Sequence, residues 1–303
     1  VIANFILALI KISDYKNNFS ATNLLLIWRT FMKKRVDLSK VKRVSIGTRP
    51  GKVILNNFSG VSDDLKTLIP DILVGKNFKN LINSIIKARH KNKPVIFCYG
   101  AHLVKCGLSP LVVDLIDNGW ITACATNGAG IIHDFELAFG GSTSEEVAGS
   151  IKNGSFGMVK ETGKFLNAVA KNAFKRKCGL GLSYGKAIES SDFKYKDISI
   201  AAACVRKKIA FTVHVAIGTD IVYQHPECDG AGWGAASYDD FLNFTETVAN
   251  LGNGGVLLNF GSAVIIPEVF LKALSIARNL GHRVFNFTTA NFDMYRLYRP
   301  NQN

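Results

Sequence analysis

The sequence predicts an α/β fold with a mainly parallel sheet and helices on both faces. Short apolar runs alternate along the chain with amphipathic stretches of helical period, which is the pattern of strands joined by helices. The 27 glycines among 303 residues cluster where the apolar runs end, as is typical of strand-to-helix corners. A chain that is 48% hydrophobic can also bury a large core.

The first half contains a predicted βαβα unit. The runs 94–100 and 121–125 are predicted strands, because both are short, apolar and followed by glycine. A helix is predicted between them at 108–120, with Ser109 as N-cap and Pro110 in its first turn. Upstream of this unit, apolar residues recur at helical spacing through 70–93.

The second half repeats the alternation. "GLGLSYGKAI" at 179–188 has the glycine density of a dinucleotide fingerprint but follows no predicted strand, so we interpret it as the loop that enters a helix. The other elements predicted here are helices at 156–177, 198–208, 238–251 and 266–281 and strands at 209–220, 254–264 and 283–293.

Several predicted strands end in small or polar residues, and ligands of open α/β sheets bind at that edge. Small residues there let the backbone approach a ligand, and helix N-termini favour phosphate. The central question is whether the loop at 127–130 is a ligand cradle or a tight corner. The strand-end candidates are Gly100, Ala101, His102, Asn127, Gly128, Ala129, Gly130, Gly218, Thr219, Asp220, Gly261, Ser262 and the segment 288–291.

Four histidines lie in or beside these strand ends: His102, His133, His214 and His225. Each alone is most simply a core or capping residue. Together with Asp134 and Asp220 they could form an acid/base or metal cluster, and because no metal-binding histidine spacing is present, proton transfer is favoured over metal. Asp134 and Glu136 also suit the dipole of a helix's first turn; we favour that role for Glu136 and leave Asp134 open.

Charge and cysteine content bear on the class of protein. The net charge is +14, but residues 1–43 hold nine Lys or Arg and two Asp, so half of the excess lies there. No basic stripe with interleaved aromatics follows, and nucleic-acid binding is not expected. None of the six cysteines forms a C-x-x-C pair, which favours a reducing, cytoplasmic setting without disulfides.

Residues 1–31 fit no element of the alternation. Their apolar runs are shorter than the roughly 20 residues that a bilayer crossing needs, and no signal-peptide cleavage site follows them. We expect 1–31 to be extra sequence ahead of a single α/β domain at 32–303, which would begin at Met32. A genuine helical arm is the alternative.

The chain from Pro94 to Asp293 resembles the deoxyhypusine synthase family in the order and spacing of its motifs. "ITACATNGAG" resembles the family's hydrophobic–Thr-Ala-Gly-Gly segment, and "VRKKIAFTVHVAIGTD" resembles its Lys-x-x-Ile-Pro-Val strand with a Gly-Asp turn. "VLLNFGSAV" resembles its Ile-Leu-Gly-Gly-Gly turn, and "VFNFTTANFD" resembles its Ile-Asn-Thr-Ala-Gln-Glu-Phe-Asp segment.

This resemblance implies a Rossmann-like fold, a homotetramer and bound NAD. It implies that Gly100, Ala101, Asn127, Gly128, Ala129, Gly130, Gly261, Ser262, Thr289 and Ala290 lie near NAD. It also implies that Asp220 is a carboxylate on the side of a polyamine substrate. The family transfers the aminobutyl group of spermidine to a protein lysine.

The sequence departs from the family where the imine-forming lysine is expected. No Trp-Gly-Lys segment follows Asp293, and Trp233-Gly234 is followed by Ala235. The resemblance therefore implies a bacterial deoxyhypusine-synthase-like protein without lysine-imine synthesis. We expect a transferase-like, NAD-binding enzyme that acts on a small polar or amine substrate, with Asp220, Asp134, His133, His214 and His225 as candidate catalytic residues. A non-catalytic nucleotide-binding or regulatory protein is the alternative.

Overall fold

The computed structural model describes residues 69–296 and residue 298. The expectations for residues 1–31 lie outside this part of the chain. Five parallel strands form a sheet in the order β3-β2-β1-β4-β5. The strands are β1 (Val95–Tyr99), β2 (Ala123–Asn127), β3 (Ala210–His214), β4 (Val256–Phe260) and β5 (Thr288–Phe292).

Ten α-helices are present in the described part. They are α1 (Leu73–His90), α2 (Ala101–Lys105), α3 (Ser109–Asp117), α4 (Gly128–Gly140), α5 (Val147–Ser150), α6 (Lys160–Arg176), α7 (Leu180–Glu189), α8 (Ile200–Arg206), α9 (Gly230–Ala249) and α10 (Ile265–Asn279). Short 3-10 turns lie at Ile151–Asn153, Lys196–Ile198 and Ile221–Gln224. None of the described helices has both the length and the apolarity that crossing a membrane requires.

Helices cover both faces of the sheet, which confirms the predicted α/β class. On one face, Ile96 of β1 and Leu257 of β4 pack with Phe244 of α9 and Phe270 of α10. The strand residues that alternate with these face the other layer, where Phe97 packs into the cluster that contains Ile131 of α4. This strand order and the two helical layers are those of a Rossmann-like fold, in which the order reverses between β1 and β4.

Several element boundaries differ from the sequence prediction. Helix α9 begins at Gly230 rather than at 238, because Asp229 caps it by accepting from the Gly232 N–H. Ser109 is not an N-cap: it is the first residue of α3. The glycine-rich stretch 179–188 is mostly helix α7 itself, since its glycines allow close packing. A Cβ at Gly181, for example, would overlap the backbone of β3.

Asp240 of α9 ties the sheet edge to α7. Its Oδ2 accepts hydrogen bonds from Val213 N of β3 (2.8 Å) and from Gly181 N of α7 (2.7 Å). Val213 belongs to β3, which is an edge strand of the sheet. Its outward N–H group therefore donates to the buried side chain of Asp240 instead of to a neighbouring strand. Burial raises the pKa of Asp240 to about 8, so the neutral carboxyl is the favoured form at pH 7.

Candidate functional site

A cleft of about 640 Å³ lies between α4, the connection from α4 to α6, and the loop that follows β3. We call it the acidic cleft, because its lining within the described chain includes four carboxylates and one ammonium group. The charged lining residues are Lys105, Glu136, Glu145, Glu161 and Asp220. Its apolar lining consists of Ala129, Ile132, Phe135, Phe139, Val147, Phe156, Val159 and Ile221.

Asp220 is a half-buried cleft carboxylate without a hydrogen-bond or ion-pair partner among the described residues. It follows a tight turn at Gly218, whose φ of +92° suits glycine, and it precedes the 3-10 turn Ile221–Gln224. Asp220 occupies the N-cap position of that turn, yet its side chain makes no capping bond. No hydrogen bond or ion pair to its carboxylate occurs among the described residues. Burial raises its pKa to about 6, so the group is mostly ionised at pH 7 without a counter-ion.

A buried network fixes the segment that carries Asp220. Asn167 of α6 donates from Nδ2 to the carbonyl of Val222 (3.0 Å), and it accepts from Trp233 Nε1 (2.7 Å). His225 contacts the carbonyl of Gly157 through Nε2 (2.9 Å), and its ring fills the space that a Cβ at Gly163 would need. The loop after β3 is therefore held from two sides, and Asp220 is presented on a fixed backbone.

His133 enters the cleft as part of a second network. Its Nδ1 lies 2.6 Å from Thr143 Oγ1, and the Thr143 hydroxyl donates to Glu136 Oε2 at 2.5 Å. The other Glu136 oxygen accepts from the Thr162 hydroxyl at 3.1 Å. Burial, with the nearby Lys105 and His102, lowers the pKa of His133 to about 4. His133 is therefore neutral at pH 7, and the ring nitrogen without hydrogen can accept a hydrogen bond or a proton.

The loop at 127–130 combines features of a corner and of a ligand wall. Asn127 caps α4 by accepting from Gly130 N (2.9 Å). A Cβ at Gly128 would overlap Asp220 Oδ2, and one at Gly130 would overlap Thr126 Oγ1. The space above both glycines is thus filled by the protein's own side chains. Ala129 alone of these four residues lines the acidic cleft.

The ends of β1 and β4 meet at the point where the strand order reverses. Gly100 N donates to Phe260 O (2.9 Å), and a Cβ at Gly100 would overlap the Gly261 carbonyl oxygen. Ser262 is buried, and its Oγ accepts from Ile266 N at the start of α10. Space remains open above Gly261, and His102 is exposed on α2. Ala101 begins α2, which also carries the cleft residue Lys105.

Two candidate catalytic residues lie in the interior instead of the cleft. Asp134 accepts from Tyr184 Oη (2.8 Å), Ser199 Oγ (2.6 Å) and Ile200 N (3.0 Å), so it ties α4 to α7 and α8. His214 contacts Thr212 Oγ1 through Nε2 and packs edge-on against Phe244; burial lowers its pKa to about 3. The geometry therefore gives both residues a structural role, because neither reaches the cleft.

The positions of the remaining candidate residues show which of them can reach the cleft. His225 helps to hold the loop that carries Asp220 through its contact with Gly157, and it does not line the cleft. Gly218 lies in an exposed turn with open space around it. Thr289 and Ala290 were expected at a strand end, but they pair with Leu257 and Leu258 in the middle of β5. Their strand continues to Phe292, so they do not reach the carboxyl edge of the sheet.

Sequence reasoning missed part of this site. Glu136 was interpreted as a dipole partner, although it lies three residues after His133 on the same helical face, and that spacing was the available signal. Thr143, Thr162 and Lys105 gave no recognisable signal, because tertiary packing and not a local sequence pattern brings them to the cleft. Among the described residues, no group of three or more His, Cys, Asp or Glu side chains could hold a metal ion.

No known protein family and no curated protein matches the chain. Solved structures with a loose likeness include the arginine dihydrolase ArgZ of the ornithine–ammonia cycle in cyanobacteria. That match has 16% identity and a TM-score of 0.42, over 67% of this chain and 26% of ArgZ.

Two further structures are similar at the same level. A conserved LOR/SDH protein from Methanococcus maripaludis S2 shares 15% identity at a TM-score of 0.41, over 82% of this chain and 63% of that protein. AgrE, in its ternary complex with ornithine and NAD+, shares 15% identity at a TM-score of 0.43, over 65% of this chain and 26% of AgrE. The chain thus spans less than two thirds of the length of each of these three proteins.

Proposed function

We propose that the chain is an NAD-binding enzyme that binds a small amine substrate in the acidic cleft. The observation that carries this proposal is the unpaired, partly buried carboxylate of Asp220, which faces a cleft rich in other carboxylates. A buried charge without a counter-ion is unfavourable, and a cationic ligand would supply the missing charge. The deoxyhypusine synthase resemblance supports the same assignment, because it gives Asp220 an amine-binding role.

The shape of the cleft suits a short alkylamine. Its apolar side chains can contact methylene groups, while Asp220 accepts hydrogen bonds from the ammonium group. His133 is neutral and adds no positive charge that would repel this ligand. The chain as a whole carries a charge of +14, so the local excess of carboxylates belongs to the cleft and does not follow from composition.

NAD fits one part of the predicted cofactor site better than the other. A pyrophosphate at Gly128 would meet the Asp220 carboxylate, so the loop at 127–130 is unsuited to it. The ends of β1 and β4 offer open space above Gly261 and the exposed imidazole of His102. We therefore assign cofactor contacts to Gly100, Ala101, His102, Gly261 and Ser262. When bound, NAD supplies hydride acceptance.

Asp220→Asn should weaken the binding of 1-butylamine at pH 7 by at least about tenfold, or roughly 1.4 kcal/mol. The substitution removes the charge and nearly keeps the shape. The midpoint of thermal unfolding should not fall, because the carboxylate has no hydrogen-bond partner among the described residues. Calorimetric titration of both proteins, with 1-butanol as the uncharged ligand, measures the effect.

Asp192→Asn is the matched control, since it removes an exposed carboxylate that does not line the cleft. Its affinity for 1-butylamine should equal that of the wild type. A loss of several kcal/mol of stability in Asp220→Asn would instead identify Asp220 as a structural carboxylate. NAD affinity without turnover by any amine would favour a nucleotide-binding regulatory protein.

Ala129→Val tests whether the 127–130 loop forms a ligand wall. The added methyl groups would project from the one residue of this loop that lines the cleft. We expect 1-butylamine affinity to fall at least about tenfold, with a stability change within about 1 kcal/mol. Equal affinity in the two proteins would make the loop a corner and nothing more.

A further inference from the structure

The contacts around His133 specify which of its ring nitrogens carries hydrogen. A carboxylate accepts hydrogen bonds and cannot donate them, so the single hydroxyl hydrogen of Thr143 points to Glu136 Oε2 (2.5 Å). Thr143 Oγ1 can then only accept from its other neighbour, His133 Nδ1, at 2.6 Å. Hence Nδ1 holds the hydrogen, and in the neutral ring Nε2 carries a lone pair.

We call the hydrogen-bonded chain from His133 through Thr143 to Glu136 the relay. Its Glu136 end is also held in place. Its second oxygen accepts from the Thr162 hydroxyl of α6 at 3.1 Å, so both oxygens have hydroxyl donors. Glu136 and His133 lie on one face of α4, three residues apart, whereas Thr143 belongs to the connection that follows α4. The relay thus joins three separate parts of the cleft wall.

The lone pair on Nε2 has no hydrogen-bond partner among the described residues, and His133 lines the cleft. We propose that Thr143 is a positioning residue that holds His133 in the Nδ1–H tautomer, so that the cleft selects ligands that donate a hydrogen bond to Nε2. The ligand class is a small molecule with an N–H or O–H donor near its polar end. This selection of ligands rests on the proposed amine site, whereas the assignment of the His133 tautomer does not.

The surroundings of His133 agree with this role. Burial, with the nearby Lys105 and His102, lowers its pKa to about 4, so the ring is neutral at pH 7. A neutral imidazole with Nδ1–H can accept from an ammonium group, whereas the other neutral tautomer would direct an N–H toward it. Loss of the Thr143 hydroxyl should therefore reverse the preference of His133 for one tautomer, and not only weaken its contact with the ligand.

The test uses the whole chain labelled with ¹⁵N-histidine, with His133 assigned by the signals lost in His133→Gln. Long-range ¹H–¹⁵N spectra at pH 7 should show Nδ1–H as the predominant tautomer in the wild type and in Thr143→Ser. Thr143→Val should shift the tautomer ratio toward Nε2–H by about fivefold, the factor expected for one hydrogen bond. Predominant Nε2–H in the wild type would overturn the proposal, and that spectrum decides even if Thr143→Val does not fold. An unchanged ratio in folded Thr143→Val would also overturn it.

A second measurement compares 1-butylamine with butyltrimethylammonium, which keeps the charge and lacks an N–H. The affinity ratio of the two should fall about fivefold from wild type to Thr143→Val and stay constant in Thr143→Ser. A constant ratio in Thr143→Val would contradict the selection. If neither ligand binds the wild type, the proposed amine site fails while the tautomer spectra still decide the role of Thr143.

Discussion

Asp134→Leu should lower the free energy of unfolding by about 3–5 kcal/mol. The substitution leaves two buried donors, Ser199 Oγ and Ile200 N, without an acceptor, and Tyr184 Oη keeps only the carbonyl of Ile131 at 3.1 Å. It also removes the hydrogen bonds by which this carboxylate joins α4 to α7 and α8. Urea unfolding of the wild type and the variant, at one pH, measures the difference.

Asp134→Asn provides the graded comparison, because it keeps one acceptor oxygen for the three donors. Its loss of stability should lie between those of the wild type and the leucine variant, and its amine affinity should equal that of the wild type. A leucine variant that keeps its stability within about 1 kcal/mol but loses amine binding would return Asp134 to the catalytic residues.

The contribution of Asp240 to the free energy of unfolding should fall as the pH rises from about 4 to 8. Its folded pKa of about 8 lies above the ordinary aspartate value of 3.8. The unfolded chain releases this proton at low pH while the folded protein retains it. Asp240 therefore stabilises the fold fully below about pH 4, and the stabilisation is lost as the pH passes through 8.

The expected slope is at most about 1.4 kcal/mol per pH unit between these values. Asp240→Asn resembles the neutral carboxyl and should flatten the profile, since its amide oxygen can accept from Val213 N and Gly181 N. The difference between the two proteins at pH 5 and pH 7.5 isolates Asp240 from the other titrating groups. Parallel profiles would mean that the carboxyl is already ionised in the fold.

The sequence predicts the sheet and most helices well, because periodicity and glycine report local structure. The runs at 94–100 and 254–264 contain β1 and β4, and Gly119 and Gly281 follow helices α3 and α10 as expected. Helix α9 was predicted to start too late, because the three glycines at 230–236 lower the helix propensity of its first two turns despite the three alanines there. Their conformation is decided by the Asp229 cap and by burial of Trp233.

The candidate site was predicted in part, because residues at strand ends need not share a cleft. Asp220 and His133 do line one cleft, yet Asp134 follows His133 directly and turns into the core. Adjacent positions on a helix point in different directions, and only the packing of α7 and α8 shows which of the two is buried. Thr143 and Thr162 could not be predicted, since their contacts to Glu136 are tertiary.

The most direct test of the central claim is the affinity for 1-butylamine as a function of pH. The ligand stays protonated between pH 5 and 8. His133 stays neutral because its pKa is about 4, so Asp220, with a pKa of about 6, should dominate the profile. We predict an affinity that rises about tenfold from pH 5 to pH 7 and then levels off, with a flatter profile in Asp220→Asn. Equal affinity at pH 5 and pH 7 in the wild type, or the same rise in both proteins, would contradict the assignment of Asp220 as the amine-binding carboxylate.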